Sequence, residues 1–471
     1  MSASPSSGDL PIDVSVARAH QLRQDWAQAM SDDALLKQLV RCEPPEVTII
    51  AIAGLINGFY CGQQRIAQAP ALASRLAPAL EKIRLGIQKA LPYLLSSRRR
   101  LGWGQRDVDI ALMRWIRRSG TLSLVLGAGV SQGAGAPGWA DLVKLLLQRA
   151  LTRGHEICRV VQSQNNPPVP PFELTPEGKV LFDMRAIGTT SRVEREVVRV
   201  ERLTPEAEEQ ARIILDTLDR AILEKRPVTD TELLMRGAQL CYDLYGQDMF
   251  TCLTDILYSR ATKPSETHRA IASLADRQET PERRPMPGWE SVITYNFDNL
   301  MGEAFLECNI PHSVWVMTRN GIRNISHPLT EKASWQLPIF HPHGFTPRDL
   351  FEITDMRFVF STAQYQAVYG DITDGLIDRV LDRYLANPVH VALYIGCSFT
   401  DEHMNNLLRQ AAKRYPWRWH YAILPWPNKR NGCIPDVSEI EKNSAKYLEL
   451  GVQPIWVDDF PEIPPIVRSL K

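Results

Sequence analysis

Four short segments of this chain place small or polar residues directly after an apolar run, where open α/β sheets bind their ligands. The first, TLSLVLGAGVSQGAGAPGW, runs from Thr121 to Trp139 and changes from a buried-strand pattern into a loop of glycines and alanines. Glycines leave backbone N–H groups uncovered, so a pyrophosphate can approach the helix predicted to start near Asp141. The loop therefore favours nucleotide binding, with a plain Gly/Ala-rich turn from strand to helix as the alternative.

This loop is not the common dinucleotide-binding fingerprint. A G-x-G-x-x-G pattern starting at Gly127 would need glycine at position 132, where the chain has Gln132. The nearest acidic candidate for a ribose contact, Glu156, precedes an apolar run instead of ending one. Both departures disfavour a dehydrogenase.

The second segment, TYNFDN at residues 294–299, offers an amide and a carboxylate directly after a strand. Asn296 and Asp298 can both face a ligand from this position. Asp298 and Asn299 can equally cap the helix that follows, so capping and ligand contact stay open for them.

The third segment, IFHPHG at residues 339–344, offers two histidines. A histidine at a strand end can serve as a base near neutral pH, and His343, which glycine follows, is the candidate. His341 is predicted to be structural. Metal binding by the pair is disfavoured, because acidic or cysteine partners are missing nearby in the sequence.

The fourth segment, LYIGCSFTD at residues 393–401, ends a strand in Gly396, Cys397 and Ser398. Its small residues allow the backbone to approach a ribose or an adenine, and Asp401 is predicted to cap the next helix. Cys397 is interpreted as a small buried thiol, since no basic neighbour is evident that would lower its pKa. The four segments are predicted to converge at one edge of a parallel sheet.

Helical and strand patterns alternate around these segments. Apolar residues recur at spacings of three and four from Val14 to about Arg98, which predicts an all-helical N-terminal extension within residues 1–110. Further helices are predicted at residues 107–118, 141–152, 205–225, 229–245, 247–260 and 265–276. Strands are predicted within the first segment and at residues 291–295, 337–341, 389–395, 417–424 and 454–457.

This order of elements predicts an α/β fold with a Rossmann-like parallel sheet over residues 111–471. The sheet is interrupted by an insertion at about 155–285 that is predicted to be helical. Within it, the stretch from the proline-rich residues 165–171 to Arg202 is predicted to be an exposed hairpin or insertion.

Composition excludes several classes of function. Lys+Arg and Asp+Glu both count 54 among 471 residues, so no overall charge attracts nucleic acid or an anionic membrane. The eight cysteines form no C-x-x-C pair, which disfavours a zinc ribbon. The start of the chain lacks a secretory leader pattern, so reduced thiols and a cytoplasmic location are expected.

Taken together, GAGVS with G-A-P-x-W, T-Y-N-F-D, H-P-H-G and G-C-S-F-T-D resemble the sirtuin superfamily, specifically its prokaryotic sirtuin-like NAD hydrolases of antiphage defence. The resemblance covers about residues 110–471 and implies a sirtuin-type sheet with NAD as substrate. It implies that Asn296 positions a water and the nicotinamide ribose, that Asp298 contacts the nicotinamide amide and that His343 acts on the ribose hydroxyls. The other residues it implies for NAD binding are Gly127, Ala128, Gly129, Ser131, Trp139, Gly396, Cys397 and Ser398.

Two departures separate the chain from sirtuin deacylases. It lacks the two C-x-x-C pairs of their structural zinc, so no metal is expected, and Gly138, Trp139 and Ala140 stand where their Pro-Asp-Phe-Arg run would continue after Pro137. The resemblance therefore favours a hydrolase that gives nicotinamide and ADP-ribose, gated within a homo-oligomer or by an ATPase or another sensor of a defence system. A non-catalytic module that senses NAD or ADP-ribose is the alternative, and a zinc-free deacylase is a third.

Overall fold

The computed structural model describes most of the chain beyond residue 105. The described ranges are 106–119, 122–153, 155–161, 173–174, 179–181, 194–201, 204–223, 231–246, 249–261, 263–275, 288–318, 321–326, 336–348, 356–361, 364–365, 390–414, 420–426 and 437–471, with residues 74, 77 and 78. Ser74, Ala77 and Pro78 are helical, and the rest of the predicted N-terminal helical block, residues 14–98, lies outside the described residues.

The elements alternate along the chain. The helices are α1 (Arg106–Ser119), α2 (Ala128–Gln132), α3 (Trp139–Arg153), α4 (Pro205–Leu223), α5 (Thr231–Tyr245), α6 (Met249–Arg260), α7 (Glu266–Ala272), α8 (Leu300–Glu307), α9 (Glu402–Arg414), α10 (Val437–Leu448) and α11 (Ile463–Ser469). The strands are β1 (Leu122–Leu126), β2 (His155–Val161), β3 (Glu173–Leu174), β4 (Lys179–Leu181), β5 (Glu194–Glu201), β6 (Val292–Thr294), β7 (His312–Thr318), β8 (Gly321–Ser326), β9 (Leu337–His341), β10 (Val391–Ile395), β11 (His420–Pro425) and β12 (Val452–Val457). A 3₁₀ helix, Phe460–Glu462, precedes α11.

Contacts divide the chain into two units, which we call the sheet unit and the terminal unit. The sheet unit comprises residues 123–385 and 392–407, and the terminal unit comprises residues 1–122, 386–391 and 408–471.

The sheet unit is built on eight strands in the order β10-β1-β6-β9-β7-β8-β4-β3. The pairs β1–β6, β6–β9 and β9–β7 are parallel. Strands β7 and β8 form an antiparallel hairpin. Every residue of β1 is buried, as is typical of a central strand covered on both faces. The predicted mostly parallel α/β sheet is thus confirmed.

Helices α3 to α6 pack against one another within the sheet unit. Gly237 of α5 allows close approach to α3, because a Cβ there would lie 2.8 Å from Val143 Cγ1. The Tyr245 hydroxyl donates to the Leu146 carbonyl of α3 over 2.9 Å. Thr204 caps α4 through the Ala207 N–H, with proline at the first helical position, as predicted.

The insertion differs from its helical prediction in its first part. Strands β2 and β5 pair antiparallel, with His155 opposite Glu201 and Val161 opposite Glu194. Valine alternates with charged residues in these stretches, and β-branched side chains favour a pleated strand over a helix. The hairpin was predicted to lie between the proline-rich residues 165–171 and Arg202. Its first strand, β2, instead lies before the proline-rich residues, and its second strand is β5. Helices α4 to α7 confirm the four helices predicted between residues 205 and 276.

In the terminal unit, α1 packs against the C-terminal residues. Arg114 Nε donates to the Ser469 carbonyl over 2.6 Å, and Arg117 Nε donates to the Leu470 carbonyl over 2.8 Å. Guanidinium groups at the carboxyl end of α11 also suit the helix dipole. The parallel pair β11 and β12 confirms the two last predicted strands. In the described part of the chain, no helix is both long and apolar enough to cross a membrane.

Candidate functional site

The four strand-end segments meet at the carboxyl edge of the sheet, as predicted. They follow β1, β6, β9 and β10, which stand in the order β10-β1-β6-β9. Each segment contacts another through a side chain or the backbone. All of these residues belong to the sheet unit.

The glycine loop packs directly on the turn after β10. The Gly127 N–H donates to the Ile395 carbonyl over 3.0 Å, and the Gly129 N–H donates to the Gly396 carbonyl over 3.1 Å. A Cβ on Gly127 would lie 2.8 Å from Cys397 Cα, and one on Gly129 would lie 2.8 Å from Gly396 Cα. Gly396 itself has a φ of +69°, in the left-handed region. All three glycines are therefore required by the close approach of two backbones.

This packing changes the interpretation of the loop. The N–H groups of Gly127 and Gly129 are occupied by protein carbonyls, so they are not uncovered donors for a pyrophosphate. The first helix after β1 is the five-residue α2, which begins at Ala128, and not the helix predicted near Asp141. Binding of a pyrophosphate by Gly127, Ala128 and Gly129 stays a prediction.

Asn296 is held by two acceptors from the first segment. Its Nδ2 donates to the Gly127 carbonyl over 3.0 Å and to Ser131 Oγ over 2.9 Å. Both amide hydrogens are thereby used, which leaves Oδ1 as the acceptor that can face a water or a ribose hydroxyl. A buried amide fixed in this way can orient a reactant without rearranging.

Ser131 connects Asn296 to Asp298. The serine is 2% exposed, and a side-chain hydrogen bond joins it to the Asp298 carboxyl. Burial raises the pKa of Asp298, and the hydrogen bonds from Ser131 and from the Leu300 N–H oppose that shift. Asp298 Oδ1 accepts the Leu300 N–H over 3.0 Å at the start of α8, so the capping alternative holds for Asp298. The predicted contacts of Ser131 and Asp298 with NAD remain untested.

His341 supports the segment after β6. Its Nδ1–H donates to the Asn296 carbonyl over 3.1 Å, and its ring packs 4.5 Å from the Phe345 ring. Burial lowers the pKa of His341 to about 4, so the ring is neutral near neutral pH. This is the structural role predicted for it.

His343 lies against a tyrosine and an aspartate from later in the chain. Its Nε2 is 3.3 Å from the Tyr365 hydroxyl and 3.7 Å from Asp401 Oδ2. The Tyr365 hydroxyl donates to the same Oδ2 over 2.8 Å. Burial lowers the pKa of His343 to about 4, and the charge of Asp401 opposes that shift. The imidazole is therefore neutral near pH 7 and can accept a proton.

Contacts between the four segments form a closed ring. Backbone hydrogen bonds of Gly127 join β1 to β10, Asn296 joins β6 to β1, and His341 joins β9 to β6. His343 and Asp401 complete the ring between β9 and β10, which are not neighbours in the sheet. The last contact thus joins two segments whose strands are separated in the sheet by β1 and β6.

Trp139 and the residues after β10 lie around this ring. Trp139 begins α3, is half-buried and meets the Phe360 ring edge to face at 4.7 Å. Cys397 Sγ donates to the Val125 carbonyl over 3.5 Å, and burial raises the pKa of its thiol to about 12, which fits the predicted unreactive thiol. Ser398 is exposed, with its Oγ 2.8 Å from Thr400 Oγ1. Contact of these residues with NAD stays a prediction.

Sequence reasoning missed Tyr365 and one function of Asp401. Asp401 Oδ1 accepts the Met404 N–H over 2.9 Å, which confirms the predicted helix cap, but its other oxygen faces His343. The sequence around Tyr365, TAQYQA, carries no signal of such a contact. Within the described ranges, no group of three or more His, Cys, Asp or Glu side chains could hold a metal ion.

Comparison with known families gives a match over part of the chain. Residues 290–449 match the SIR2-like domain family. The match includes the second, third and fourth segments, with Asn296, His343 and Asp401, and supports a sirtuin-like family whose members include NAD-dependent enzymes. No curated protein matches the chain. This match indicates NAD-related activity in general.

Proposed function

We propose that this protein is an NAD hydrolase that cleaves the bond between nicotinamide and ribose. The observation that carries the proposal is the placement of Asn296 and His343 in one buried contact ring within the SIR2-like match. Asn296 follows β6 and His343 follows the adjacent parallel strand β9. Both side chains are fixed by protein contacts before any ligand arrives, which is what a positioned catalytic pair requires.

The chemistry needs few groups. As the C1′–N bond breaks, its electron pair leaves with nicotinamide and the ribose develops oxocarbenium character. Water adds to C1′ and releases a proton, so that NAD and water give nicotinamide, ADP-ribose and one proton. In this scheme Asn296 Oδ1 orients the water or a ribose hydroxyl, and neutral His343 accepts a proton from a ribose hydroxyl. The proton that water loses restores that hydroxyl, and the proton held by His343 is the one released.

We further propose that the activity is gated and serves antiviral defence in the cytoplasm. Unrestrained loss of NAD would harm the cell, so activity must depend on a trigger. Residues 1–110 are the proposed site of homo-oligomerisation or of docking to an ATPase or another sensor. The resemblance to sirtuin-like hydrolases of phage defence supports this step.

The test is release of nicotinamide from NAD by purified protein at several concentrations. We expect release by the wild type and its loss in Asn296→Ala, because the alanine removes the amide and leaves the Gly127 carbonyl without this donor. The matched control is Asn406→Ala, which changes an exposed asparagine of α9 and should retain activity. Melting temperatures show whether each variant is folded.

Three outcomes separate the alternatives. Turnover that persists in folded Asn296→Ala would refute the site assignment. Saturable NAD binding without nicotinamide release, under every activating condition, would indicate a sensing module instead of an enzyme. Release that requires an acyl-lysine peptide would indicate a deacylase. A steep dependence of the specific activity on protein concentration would support gating by assembly.

A further inference from the structure

Three side chains from separate stretches of the chain meet at the site. His343 follows β9, Tyr365 lies in the stretch after residue 361, and Asp401 precedes α9. The Tyr365 hydroxyl is 2.8 Å from Asp401 Oδ2 and 3.3 Å from His343 Nε2, so it stands between the two. The direct distance from His343 Nε2 to Asp401 Oδ2 is 3.7 Å, which is too long for a good hydrogen bond.

The direction of these bonds assigns the imidazole tautomer. A tyrosine hydroxyl has one proton, and here it donates to the Asp401 carboxylate. Its oxygen can then only accept from His343, so the hydrogen of the neutral ring lies on Nε2 and the lone pair lies on Nδ1. The bridge therefore determines which nitrogen of the neutral His343 ring carries the lone pair that can accept a proton.

We propose that Asp401 and Tyr365 are positioning residues for His343, which fix its tautomer and stabilise the imidazolium that forms when it accepts a proton. This inference rests on the proposed hydrolase function. When Nδ1 takes a proton from a ribose hydroxyl, the ring becomes positive while Nε2–H points to Tyr365 and the Asp401 carboxylate. Charge-assisted hydrogen bonds of this kind are stronger than neutral ones.

The surroundings make this arrangement specific. The titratable groups that face His343 include Tyr295 after β6, Tyr365 and Asp401. The Tyr295 ring meets the imidazole edge to face at 4.6 Å, and the Tyr365 ring does so at 5.3 Å. The His343 carbonyl accepts the Val359 N–H over 2.8 Å, which fixes the backbone. Asp401 is thus a carboxylate in position to balance an imidazolium.

Asp401→Asn tests the inference while keeping the helix cap. Asparagine caps helices as well as aspartate does, so the acceptor for the Met404 N–H remains. The new amide NH₂ would donate to the Tyr365 oxygen and turn the hydroxyl proton towards His343 Nε2. We expect the neutral ring to change from the Nε2–H to the Nδ1–H tautomer, which places the proton on the atom that must act as base.

The first readout is the ¹⁵N spectrum of histidine-labelled full-length protein, with the His343 signals assigned by their absence in His343→Ala. We expect the Nε2–H tautomer in the wild type, the Nδ1–H tautomer in Asp401→Asn and a mixture in Tyr365→Phe. The matched control is Asp459→Asn, which changes another N-cap aspartate, bonded to the Phe460 N–H over 2.8 Å, and should leave the His343 signals unchanged. An Nδ1–H ring in the wild type, or an unchanged tautomer in Asp401→Asn, would overturn the inference.

The second readout is steady-state nicotinamide release as a function of pH. In Asp401→Asn we expect kcat to fall by about 10²-fold with little change in KM, because a positioned base contributes a factor of that order. The acid limb of kcat/KM should also move to lower pH, since the charge that favours the protonated ring is gone. An unmoved pH profile with unchanged kcat would refute the positioning role. If the wild type releases no nicotinamide, the proposed function fails, and the tautomer measurement alone still decides this inference.

Discussion

Replacing Gly127 by alanine distinguishes a packing glycine from a ligand-binding one. Gly127 has a φ of −109° and a ψ of −178°, which alanine adopts freely, so any cost comes from space alone. The new Cβ would contact the Gly396 carbonyl oxygen and lie 2.8 Å from Cys397 Cα and 2.9 Å from the Gly396 carbonyl carbon. These are backbone atoms that cannot rotate away. We expect a loss of about 1–3 kcal/mol in stability, equivalent to a melting temperature about 2–10 °C lower.

The assay is thermal unfolding of the full chain, with Gly133→Ala as the matched control. Gly133 has helical φ and ψ values of −62° and −17°, and its Cβ would lie 3.3 Å from the Ser265 Cβ. We expect this control to melt within a few degrees of the wild type, because alanine also reduces the entropy of the unfolded chain. An unchanged melting temperature for Gly127→Ala, together with weaker NAD binding, would refute the packing argument and restore the pyrophosphate role.

Two further predictions concern the buried groups that hold the site. The Tyr258 hydroxyl donates to the Thr346 carbonyl over 2.6 Å and accepts the Asn299 N–H over 2.8 Å. Tyr258→Phe leaves both backbone groups without this partner, so thermal unfolding should show a loss of about 1–3 kcal/mol in stability. The melting temperature should also fall as the pH drops from about 6.5 towards 4, because burial lowers the pKa of His341 to about 4 and that of His268 to about 3, so only the unfolded chain takes up these protons. A melting temperature that stays constant from pH 7 to pH 5 would contradict this second expectation.

Most of the sheet could be predicted from local pattern. The strands β1, β6, β9 and β10 are short apolar runs bounded by glycine or polar residues, and all four were expected. The hairpin of β7 and β8 was not, although HSVWVMT has the β-branched and aromatic residues of a strand. The pairing is local, with Thr318 opposite Gly321, and the missed signal is the Asn-Gly pair at residues 320–321, which favours a hairpin turn.

The site was predictable in its members but not in its contacts. Asn296 and His343 stand at strand ends, and parallel strands bring their carboxyl ends together, so convergence followed from the sequence. The link from His343 to Tyr365 and Asp401 depends on chain paths between distant segments, which no motif encodes. A G-x-G pattern also cannot show whether a ligand or another backbone occupies the space that its glycines leave. Here Gly396, from a strand end 267 positions beyond Gly129, occupies it.

The charge on His343 decides which half of the proposed reaction it can serve. Positive charge develops on the ribose as nicotinamide leaves, and a histidine that was already protonated would oppose that charge. Burial lowers the pKa of His343 to about 4, so the ring is neutral when the bond begins to break. Asp401 Oδ2 lies 3.7 Å from His343 Nε2, so its negative charge stabilises the ring once a proton has arrived. The pair therefore favours proton removal from a ribose hydroxyl over any step in which histidine donates a proton first.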